Sequence, residues 1–521
     1  MYPTQEPPES LQPTTETPLQ HVSAPPKKTR RYILVLAAIL VVIAGLALYL
    51  LLSHKQSVKP LVTLYYSDGK TVLWRNENPA VEPGTNIPNA PYFVDLVRTE
   101  LRAKYGDHYY EQGAWAVTTT LDAKLQATAE KLIADNLPSI TSRTHGTADE
   151  EALLLQDVQS GQIKALVGGV DYKDKDHGQI NYAVTLLAPG SSIKPLDYAA
   201  LIENTTNTGA GTALSDNQEV LPGYPCTNKS LPQAGGNCLL DYDFKYPGTM
   251  PLRYALGGSR NVPAVRAMLN SDPKDTSPDR FDSINGFTKL VGRMGAEKGF
   301  NCYADEALTQ TTQCYGASAL GDGAFITLAD ELHVLATLAN NGSKVPQTTI
   351  YNVRLNGQAK ANWRQPAGQQ IIRPDTAYTL NDIMSDPNAS YLPGSCDAAN
   401  CASGANDYKF HRYNNWKFAV DPGVTNDGYT GNMAGWSSRY AVISWVGNHA
   451  RSKPLNASVE TLTKPLTQGL MQAAHLGQTP ENWKQPTSIK TLPAYVLTNH
   501  VGLGDIEPSP ATDIYPGWYK P

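Results

Sequence analysis

The chain has 521 residues with a formal net charge of −5, and 17% of its residues are charged. That length accommodates roughly two to four average domains. Basic residues cluster only in the short run Lys27–Arg31, which argues against nucleic-acid binding because phosphate contacts need many Lys and Arg side chains on one face.

The first element is an uncharged apolar segment, Tyr32–Leu52, whose length suits a helix that crosses a bilayer. The alternative is a cleaved signal peptide, but its apolar region is normally shorter and is followed by a small-residue cleavage site. More Lys and Arg residues precede the segment than closely follow it, which predicts a cytoplasmic N-terminus and an extracytoplasmic remainder. Residues 1–31 are rich in Pro, Thr and Glu and are predicted to be disordered.

The next elements alternate between strands and helices. Leu61–Trp74 alternates apolar and polar residues around Ser-Asp-Gly, which predicts a hairpin. A helix is predicted from Tyr92, and two strands joined by a tight turn are predicted between Ala152 and Val170. Strand patterns return from Trp416, after a mostly helical middle. Strands at both ends with helices between them predict an α+β fold.

These patterns divide the chain into five parts. They are a disordered cytoplasmic N-terminus (1–31), a transmembrane helix (32–52), a linker with a short β-hairpin (53–90), a central domain (91–475) and a proline-rich C-terminal tail (476–521).

Six cysteines in an exported chain suggest disulfides. Six cysteines permit many connectivities. Their positions favour three local pairs: Cys226 with Cys238, Cys302 with Cys314, and Cys396 with Cys401. Zinc is the alternative, but neither Cys-x-x-Cys nor His-x-x-x-His spacing occurs. We therefore expect no metal and no cofactor.

A first candidate motif is Ser191-Ser192-Ile193-Lys194, at the start of a predicted helix. A spacing of three residues places Ser191 and Lys194 about one turn apart on the same helical face. A serine hydroxyl needs an adjacent base to become a nucleophile, and a lysine whose pKa is lowered by burial can be that base. The alternative for such a common spacing is a solvated first helical turn.

A second candidate motif, Ser259-Arg260-Asn261, precedes another predicted helix. Its alternative is an ordinary helix cap, because Ser and Asn both cap helices well.

Taken together and in order, these segments resemble the transpeptidase domain of the penicillin-binding proteins, and specifically that of the bifunctional class A group. The resemblance runs from about Ala90 to about Ala474 and includes "APYFVDLVRTEL", "LVGGVDY", "APGSSIKP", "LRYALGGSRNVPAVRAM" and "SWVGN". It implies a serine β-lactamase/D,D-transpeptidase-like fold, which is an antiparallel sheet with a helical subdomain.

The resemblance also implies a mechanism. Ser191 would attack the amide between two D-alanines of a peptidoglycan stem peptide, and Lys194 would accept its proton. Ser259 would relay the proton to the leaving amine, and Asn261 would hold the substrate amide. Backbone amides of Ser191 and Val424 would form the oxyanion hole. β-Lactams would acylate the same serine.

The third motif departs from the family pattern, which is Lys-Thr-Gly-Thr followed by Thr-Asn-Asp. Anchoring on Thr425-Asn426-Asp427 places Asp421 on the lysine and Pro422 on the threonine, while Gly423 matches and Val424 replaces the second threonine. Asp421, Gly423, Val424 and Thr425 are therefore the candidate substrate-binding residues. Asp421 would repel the substrate carboxylate that the family lysine attracts. A register shift that brings Lys417 into that place is the alternative.

Class A proteins normally carry a glycosyltransferase domain, and the segment between Leu52 and Tyr92 is too short for one. The expected protein is a single-pass bacterial membrane enzyme that works with a separate glycosyltransferase or a division or elongation complex. One alternative is a catalytically impaired relative that binds the cell wall or acts as a scaffold. Others are a D,D-carboxypeptidase, and an enzyme for stem peptides that lack the usual carboxylate contact.

Overall fold

The computed structural model of the protein describes residues 32, 35–46, 61–77, 87–229, 236–278, 280–297, 299–300, 314–389, 410–425, 428–450, 453–495 and 511–521. It divides into two compact units, Met1–Val58 and Lys59–Pro521. In the first unit, residues 35–46 form helix α1, and their side chains are exposed. None of the helices in the described ranges is both long enough and apolar enough to span a bilayer. The predicted disordered segment 1–31 and the end of the predicted span, 47–52, lie outside those ranges.

The second unit contains twenty strands and nine helices within the described residues. The strands are β1 (Leu61–Tyr65), β2 (Val72–Asn76), β3 (Ala114–Thr119), β4 (Glu150–Asp157), β5 (Ile163–Val167), β6 (Leu186–Leu187), β7 (Ala213–Asp216), β8 (Gly248–Pro251), β9 (Ile326–Thr327), β10 (Ser343–Lys344), β11 (Ile350–Leu355), β12 (Gln358–Asn362), β13 (Gln369–Gln370), β14 (Arg412–Tyr413), β15 (Trp416–Lys417), β16 (Ala419–Val424), β17 (Thr430–Trp436), β18 (Tyr440–Gly447), β19 (Lys490–Pro493) and β20 (Thr512–Tyr515). The helices are α2 (Pro91–Tyr105), α3 (Ala123–Arg143), α4 (Lys194–Asn204), α5 (Leu252–Gly257), α6 (Asn261–Leu269), α7 (Phe281–Met294), α8 (Leu328–Ala339), α9 (Pro374–Met384) and α10 (Val459–His475).

The central sheet has the strand order β16-β17-β18-β4-β5, and every neighbouring pair is antiparallel. Successive side chains of a strand point to opposite faces. In β4, Leu153 and Leu155 pack with α3 and α10, whereas Leu154 packs with the core that contains α4 and α8. The sheet is therefore covered on both faces, and the predicted α+β class with an antiparallel sheet is confirmed.

The predicted N-terminal hairpin is also confirmed, because β1 and β2 pair in antiparallel fashion. β1 additionally pairs in parallel with β3, so the hairpin forms one edge of a second sheet, β12-β11-β3-β1-β2. Val62 and Leu64 of β1 are fully buried in that arrangement. Burial of these side chains explains why residues expected to form a linker belong to the large unit.

The described part of the C-terminal tail is also packed against the large unit. β19 and β20 pair in antiparallel fashion. Asp513 in β20 accepts two hydrogen bonds from Arg253 of α5, at 2.8 Å and 2.6 Å. The Arg373 guanidinium lies 3.3 Å from the ring centroid of Trp518. The described parts of the hairpin and of the tail therefore belong to the same compact unit, Lys59–Pro521.

One of the expected cysteine pairs is present as a disulfide, Cys226–Cys238. It closes a loop that leads into the segment beside the second motif. Cys302, Cys396 and Cys401 lie outside the described residues, so the other two expected pairs are not described.

Candidate active site

Ser191 lies in a 3-10 turn, Gly190–Ile193, that runs directly into α4. Gly190 has a φ of +59°, in the left-handed region that favours glycine. A Cβ built on Gly190 would lie 2.5 Å from the carbonyl oxygen of Val424. A side chain at position 190 would therefore prevent the turn from lying this close to strand β16. The close approach places half-buried Ser191 beside the third motif.

Lys194 opens α4 and is 1% exposed. Its amine contacts three acceptors: Ser259 O at 2.6 Å, Ser259 Oγ at 3.0 Å and Asn261 Oδ1 at 2.6 Å. Burial lowers the pKa of Lys194 to about 8, against the opposing charges of Asp241 and Asp421. The structure thus brings the first two motifs together around a lysine that is easily deprotonated.

No hydrogen bond joins Ser191 to Lys194, both of which lie within the described part of the structure. The recorded donations of Lys194 Nζ go to Ser259 and Asn261 instead. Catalytic hydrogen bonds are often long before substrate binds and shorten in the complex. One helical turn of separation keeps the serine within reach of the amine.

The second motif is held in an unusual backbone conformation. Ser259 has a φ of +49°, which is uncommon for a residue with a side chain. Such strain concentrates at functional sites, where the surrounding structure holds it in place. Here Asn261 begins α6, its backbone N–H donates to Asp241 Oδ1 at 2.5 Å, and its Nδ2 donates to the Leu240 carbonyl at 2.6 Å.

The third motif lies on β16, at an edge of the central sheet. Pro422 is tolerated there because an edge strand does not need to donate on both sides. A Cβ on Gly423 would lie 2.0 Å from Asn432 Oδ1 and 2.4 Å from the Pro189 carbonyl oxygen. The glycine is therefore required for β16 to pack against the turn that carries Ser191.

Asp421 points to the same face of β16 as Gly423, since side chains two apart in a strand share a face. It is 3% exposed, and burial raises the pKa of its carboxyl well above the usual range. The charge of Lys194 opposes that increase, whereas the charge of Glu331 adds to it. No hydrogen bond to Asp421 Oδ2 is found within the described residues. Asp421 is thus a buried neighbour of Lys194, not a group displayed to solvent.

The register-shift alternative for Lys417 is wrong. Lys417 belongs to β15, which pairs with β14, and its backbone N–H donates to Asn482 Oδ1 at 2.7 Å. β16 pairs with β17 without an irregularity, and Asp421 lies opposite Ala434. Lys417 therefore belongs to the β14–β15 pair and Asp421 to the β16–β17 pair.

Thr425 ends the third motif in a turn. Its backbone N–H and its hydroxyl both donate to the Thr430 carbonyl oxygen, each at 3.2 Å. The hydroxyl also accepts from the Thr430 N–H at 3.2 Å. Asn426 and Asp427, which anchored the sequence register, lie outside the described residues.

A buried acid behind the turn was not found from the sequence. Glu331 of α8 is 1% exposed, and burial raises the pKa of its carboxyl to about 7. Ser192 Oγ donates to Glu331 Oε1 at 2.5 Å, and Asn432 Nδ2 donates to Oε2 at 3.4 Å. The available signal was a glutamate inside a mostly apolar helical run, "LADELHVLATLA".

A second cluster surrounds Arg260, the middle residue of the second motif, which is fully buried. Its guanidinium contacts three carboxylates: Asp216 at 2.6 Å, Asp243 at 3.0 Å and Asp241 at 3.3 Å. Burial and the neighbouring Asp241 raise the pKa of Asp216, whereas the charge of Arg260 opposes that increase. The cluster ties the second motif to the segment that follows the disulfide.

Among the described residues, no group of three His, Cys, Asp or Glu side chains is arranged to hold a metal ion. The side chains of the site offer hydroxyls, amides, carboxyls and the amine of Lys194. A hydroxyl, a lysine of lowered pKa and a second hydroxyl near the lysine are groups that can activate a serine for acyl transfer.

Comparisons with curated proteins support this interpretation, although no family model matches the chain. Penicillin-binding protein 1A/1B of Bacillus subtilis is 24% identical over 386 residues, which cover 71% of this chain and 36% of the relative. Penicillin-binding protein 1B of Vibrio cholerae is 24% identical over 361 residues, which cover 68% of this chain and 40% of the relative. The chain therefore spans well under half the length of these relatives.

Solved structures share the fold. The penicillin-binding protein PonA1 of Mycobacterium tuberculosis matches with a TM-score of 0.59 and 20% identity, covering 76% of this chain and 94% of that one. PonA1 in complex with penicillin V gives a TM-score of 0.60. Penicillin-Binding Protein 1A of Haemophilus influenzae gives a TM-score of 0.61 at 17% identity, covering 82% of this chain and 76% of that one. The resemblance drawn from the motifs, to the transpeptidase domain of class A penicillin-binding proteins, is confirmed.

Proposed function

We propose, from the resemblance to class A penicillin-binding proteins as premise, that the chain is a D,D-transpeptidase acting on peptidoglycan stem peptides through an acylated Ser191. One observation carries the proposal. Lys194 is buried with a pKa lowered to about 8, one helical turn from Ser191 and within 3.0 Å of Ser259 Oγ. A serine and a lysine on an exposed first turn would not have these contacts.

In the proposed reaction, Ser191 Oγ forms a bond to the carbonyl carbon of the penultimate residue of the stem peptide. The hydroxyl proton passes to neutral Lys194, and the amide C–N bond breaks. The proton then moves through the Ser259 hydroxyl to the leaving amine of the terminal D-alanine. An amine from a neighbouring stem peptide resolves the ester and restores the serine. With a β-lactam, the ring amide opens and the leaving nitrogen stays attached.

The developing oxyanion would be met by the backbone N–H groups of Ser191 and Val424. The close approach between Gly190 and Val424 supports this arrangement, because it places the two segments side by side. A backbone donor needs no particular side chain, so the replacement of threonine by Val424 does not remove it. Loss of one oxyanion donor typically costs about 3 to 4 kcal/mol.

The altered third motif bears on substrate binding. A unit charge interaction at about 4 Å is worth about 4 kcal/mol at an effective dielectric near 20. Replacing a family cation by Asp421 would therefore weaken binding of a stem peptide with a terminal carboxylate, unless the aspartate is protonated. Burial of Asp421, which raises the pKa of its carboxyl, favours that neutral form.

The altered third motif also supports a second candidate function. Asp421 replaces the family cation, and no hydrogen bond joins Ser191 to Lys194 within the described residues. Under this second proposal, the chain is an acylation-impaired relative that binds cell-wall peptide or acts as a scaffold. A D,D-carboxypeptidase, in which water resolves the ester, is a further alternative. A stem peptide that lacks the usual carboxylate contact would suit the altered motif in either enzyme.

The location is part of the proposal. The apolar segment Tyr32–Leu52 would anchor the chain in the bacterial membrane as a single pass, with the site outside the cytoplasm. A separate glycosyltransferase, or a division or elongation complex, would supply the glycan strands.

The test is labelling of the full-length chain with a fluorescent penicillin. The parent is compared with Ser191→Ala, with Asp421→Lys/Pro422→Thr, and with Ser142→Ala as a control on the exposed face of α3. We expect labelling of the parent and of the control, and none of Ser191→Ala. Labelling that survives Ser191→Ala contradicts the proposed nucleophile. A silent parent that becomes labelled only in the double variant supports the scaffold function instead.

A further inference from the structure

Asp241 lies outside the three motifs, yet it contacts the second motif directly. It is 1% exposed, and its Oδ1 accepts the backbone N–H of Asn261 at 2.5 Å. That N–H is at the first residue of α6, where a helix has no internal acceptor for it. The carboxylate thus fixes the start of the helix that carries Asn261.

We propose that Asp241 is a positioning residue of the candidate site, which holds Asn261 against Lys194 and supplies negative charge to the lysine. The proposal rests on the proposed function for the catalytic meaning of Lys194. It goes beyond that function by assigning a residue that none of the motifs contains.

The geometry joins Asp241 to Lys194 through Asn261. Lys194 Nζ donates to Asn261 Oδ1 at 2.6 Å, and Asn261 Nδ2 donates to the Leu240 carbonyl at 2.6 Å. The Asn261 side chain is therefore fixed on both of its polar atoms. Residues 240 and 241 together hold its backbone and its side chain, so a displacement of that segment would move the acceptor that Lys194 contacts.

Charge gives Asp241 a second effect. Among the charged groups that act on Lys194, Asp241, Asp421 and Asp197 favour its protonated form, whereas Arg260 disfavours it. Asp241 is the largest of these charge contributions. Asp421 and Asp197 are themselves buried, and burial raises the pKa of both carboxyls, which weakens their charge.

Asp241 is held in place from two sides. Its second oxygen lies 3.3 Å from Arg260 Nη2, within a cluster that contains Asp216 and Asp243. The disulfide Cys226–Cys238 ends three residues before it in the chain. A carboxylate fixed in this way does not need to reorganise when Lys194 changes its charge.

The test uses variants of the full-length chain and two readouts. Asp241→Asn keeps an oxygen that can accept from Asn261 and removes the charge. Asp243→Asn is the matched control, because it lies in the same segment and contacts the same arginine, at 3.0 Å, whereas the hydrogen bond to the Asn261 N–H comes from Asp241. The titration of Lys194 is followed by NMR of ε-¹³C-lysine, with its signal assigned through Lys194→Arg.

We expect the Lys194 titration to move to lower pH in Asp241→Asn and to move clearly less in Asp243→Asn. We also expect the pH profile of fluorescent-penicillin labelling to move in the same direction in Asp241→Asn. Asp241→Ala, which removes the acceptor as well, should reduce the labelling rate by roughly tenfold or more. A merely structural role would lower the rate without moving the profile.

An unchanged Lys194 titration in Asp241→Asn, or an equal change in Asp243→Asn, overturns the proposal. Because the NMR titration does not require acylation, it decides the role of Asp241 even if the parent takes up no penicillin. Absence of labelling in a parent whose Lys194 titration responds to Asp241→Asn would contradict the proposed function and leave the positioning role standing.

Discussion

The amine of Lys194 lies 2.6 Å from Oδ1 of Asn261, a residue 67 positions later in the chain. This contact joins the first motif to the second inside a site where Lys194 is almost completely buried. The proposed chemistry therefore depends on whether Lys194 is protonated.

The first prediction concerns pH. Burial lowers the pKa of Lys194 to about 8, so the fraction of neutral lysine rises with pH through that value. We expect the rate of fluorescent-penicillin labelling to rise with pH and to level off above about pH 8, since only the neutral amine can accept a proton. Lys194→Arg should lose about 10²-fold to 10⁴-fold in rate, because arginine stays protonated. A flat profile would show that another group is the base.

The second prediction concerns stability and Glu331. Burial raises the pKa of its carboxyl in the folded state to about 7, above the usual value of 4.5. The stability associated with its proton is present below pH 4.5 and is lost as pH rises through about 7. We expect Glu331→Gln, which keeps an acceptor for Ser192, to remove this part of the decline, on the order of 3 kcal/mol. Urea unfolding of both proteins at acid and neutral pH measures it. Equal declines would mean that Glu331 titrates normally.

The third prediction concerns the contact between β16 and the Ser191 turn. A Cβ on Gly423 would lie 2.0 Å from Asn432 Oδ1 and 2.4 Å from a backbone oxygen of Pro189. We expect Gly423→Ala to destabilise the chain by about 1 to 3 kcal/mol and to reduce labelling. Gly286→Ala in α7, where a Cβ would meet nothing within 4 Å, is the control. It should be stabilising by roughly 0.5 to 1 kcal/mol.

Thermal unfolding followed by circular dichroism measures both glycine variants. If the two substitutions have the same effect, β16 and the turn separate more easily than their packing indicates.

The fourth prediction concerns the disulfide Cys226–Cys238, which joins residues 12 positions apart. Replacing both cysteines by serine should lower the free energy of unfolding by about 2 to 4 kcal/mol, because the unfolded chain loses a constraint. The labelling rate should also fall, since the bridge leads into the segment that holds Asn261. Labelling that falls no further than the loss of folded protein would show that the bridge acts on stability alone.

The local parts of the structure were predictable from the sequence. The hairpin at Leu61–Trp74 follows from its alternation and turn residues, and the positions of Ser191 and Lys194 at a helix start follow from spacing and Pro-Gly punctuation. These signals are contained within a few residues, so no knowledge of distant packing is needed to interpret them.

The parts that escaped prediction depend on distant packing. Glu331 accepts a hydrogen bond from Ser192, which is 139 residues away in the sequence. Asp241 accepts one from Asn261, but the loop that contains Asp241 has the polar sequence typical of an exposed loop. The sequence register correctly aligned Asp421 with the strand but gave no information on its burial, which arises because β16 packs against the Ser191 turn. Side-chain environment, not element type, was the missing information.

The ion pairs of Arg253 have a consequence for biosynthesis. Arg253 lies six residues before Ser259, and its strongest partner, Asp513, follows it by 260 residues. Its other carboxylate partners, Asp382 at 2.8 Å and Asp386 at 3.1 Å, are more exposed than Asp513. During synthesis the helix before Ser259 therefore lacks its most buried partner until a further 260 residues have been translated. The order of translation therefore delays the final packing of this helix until the segment that contains Asp513 has been synthesised.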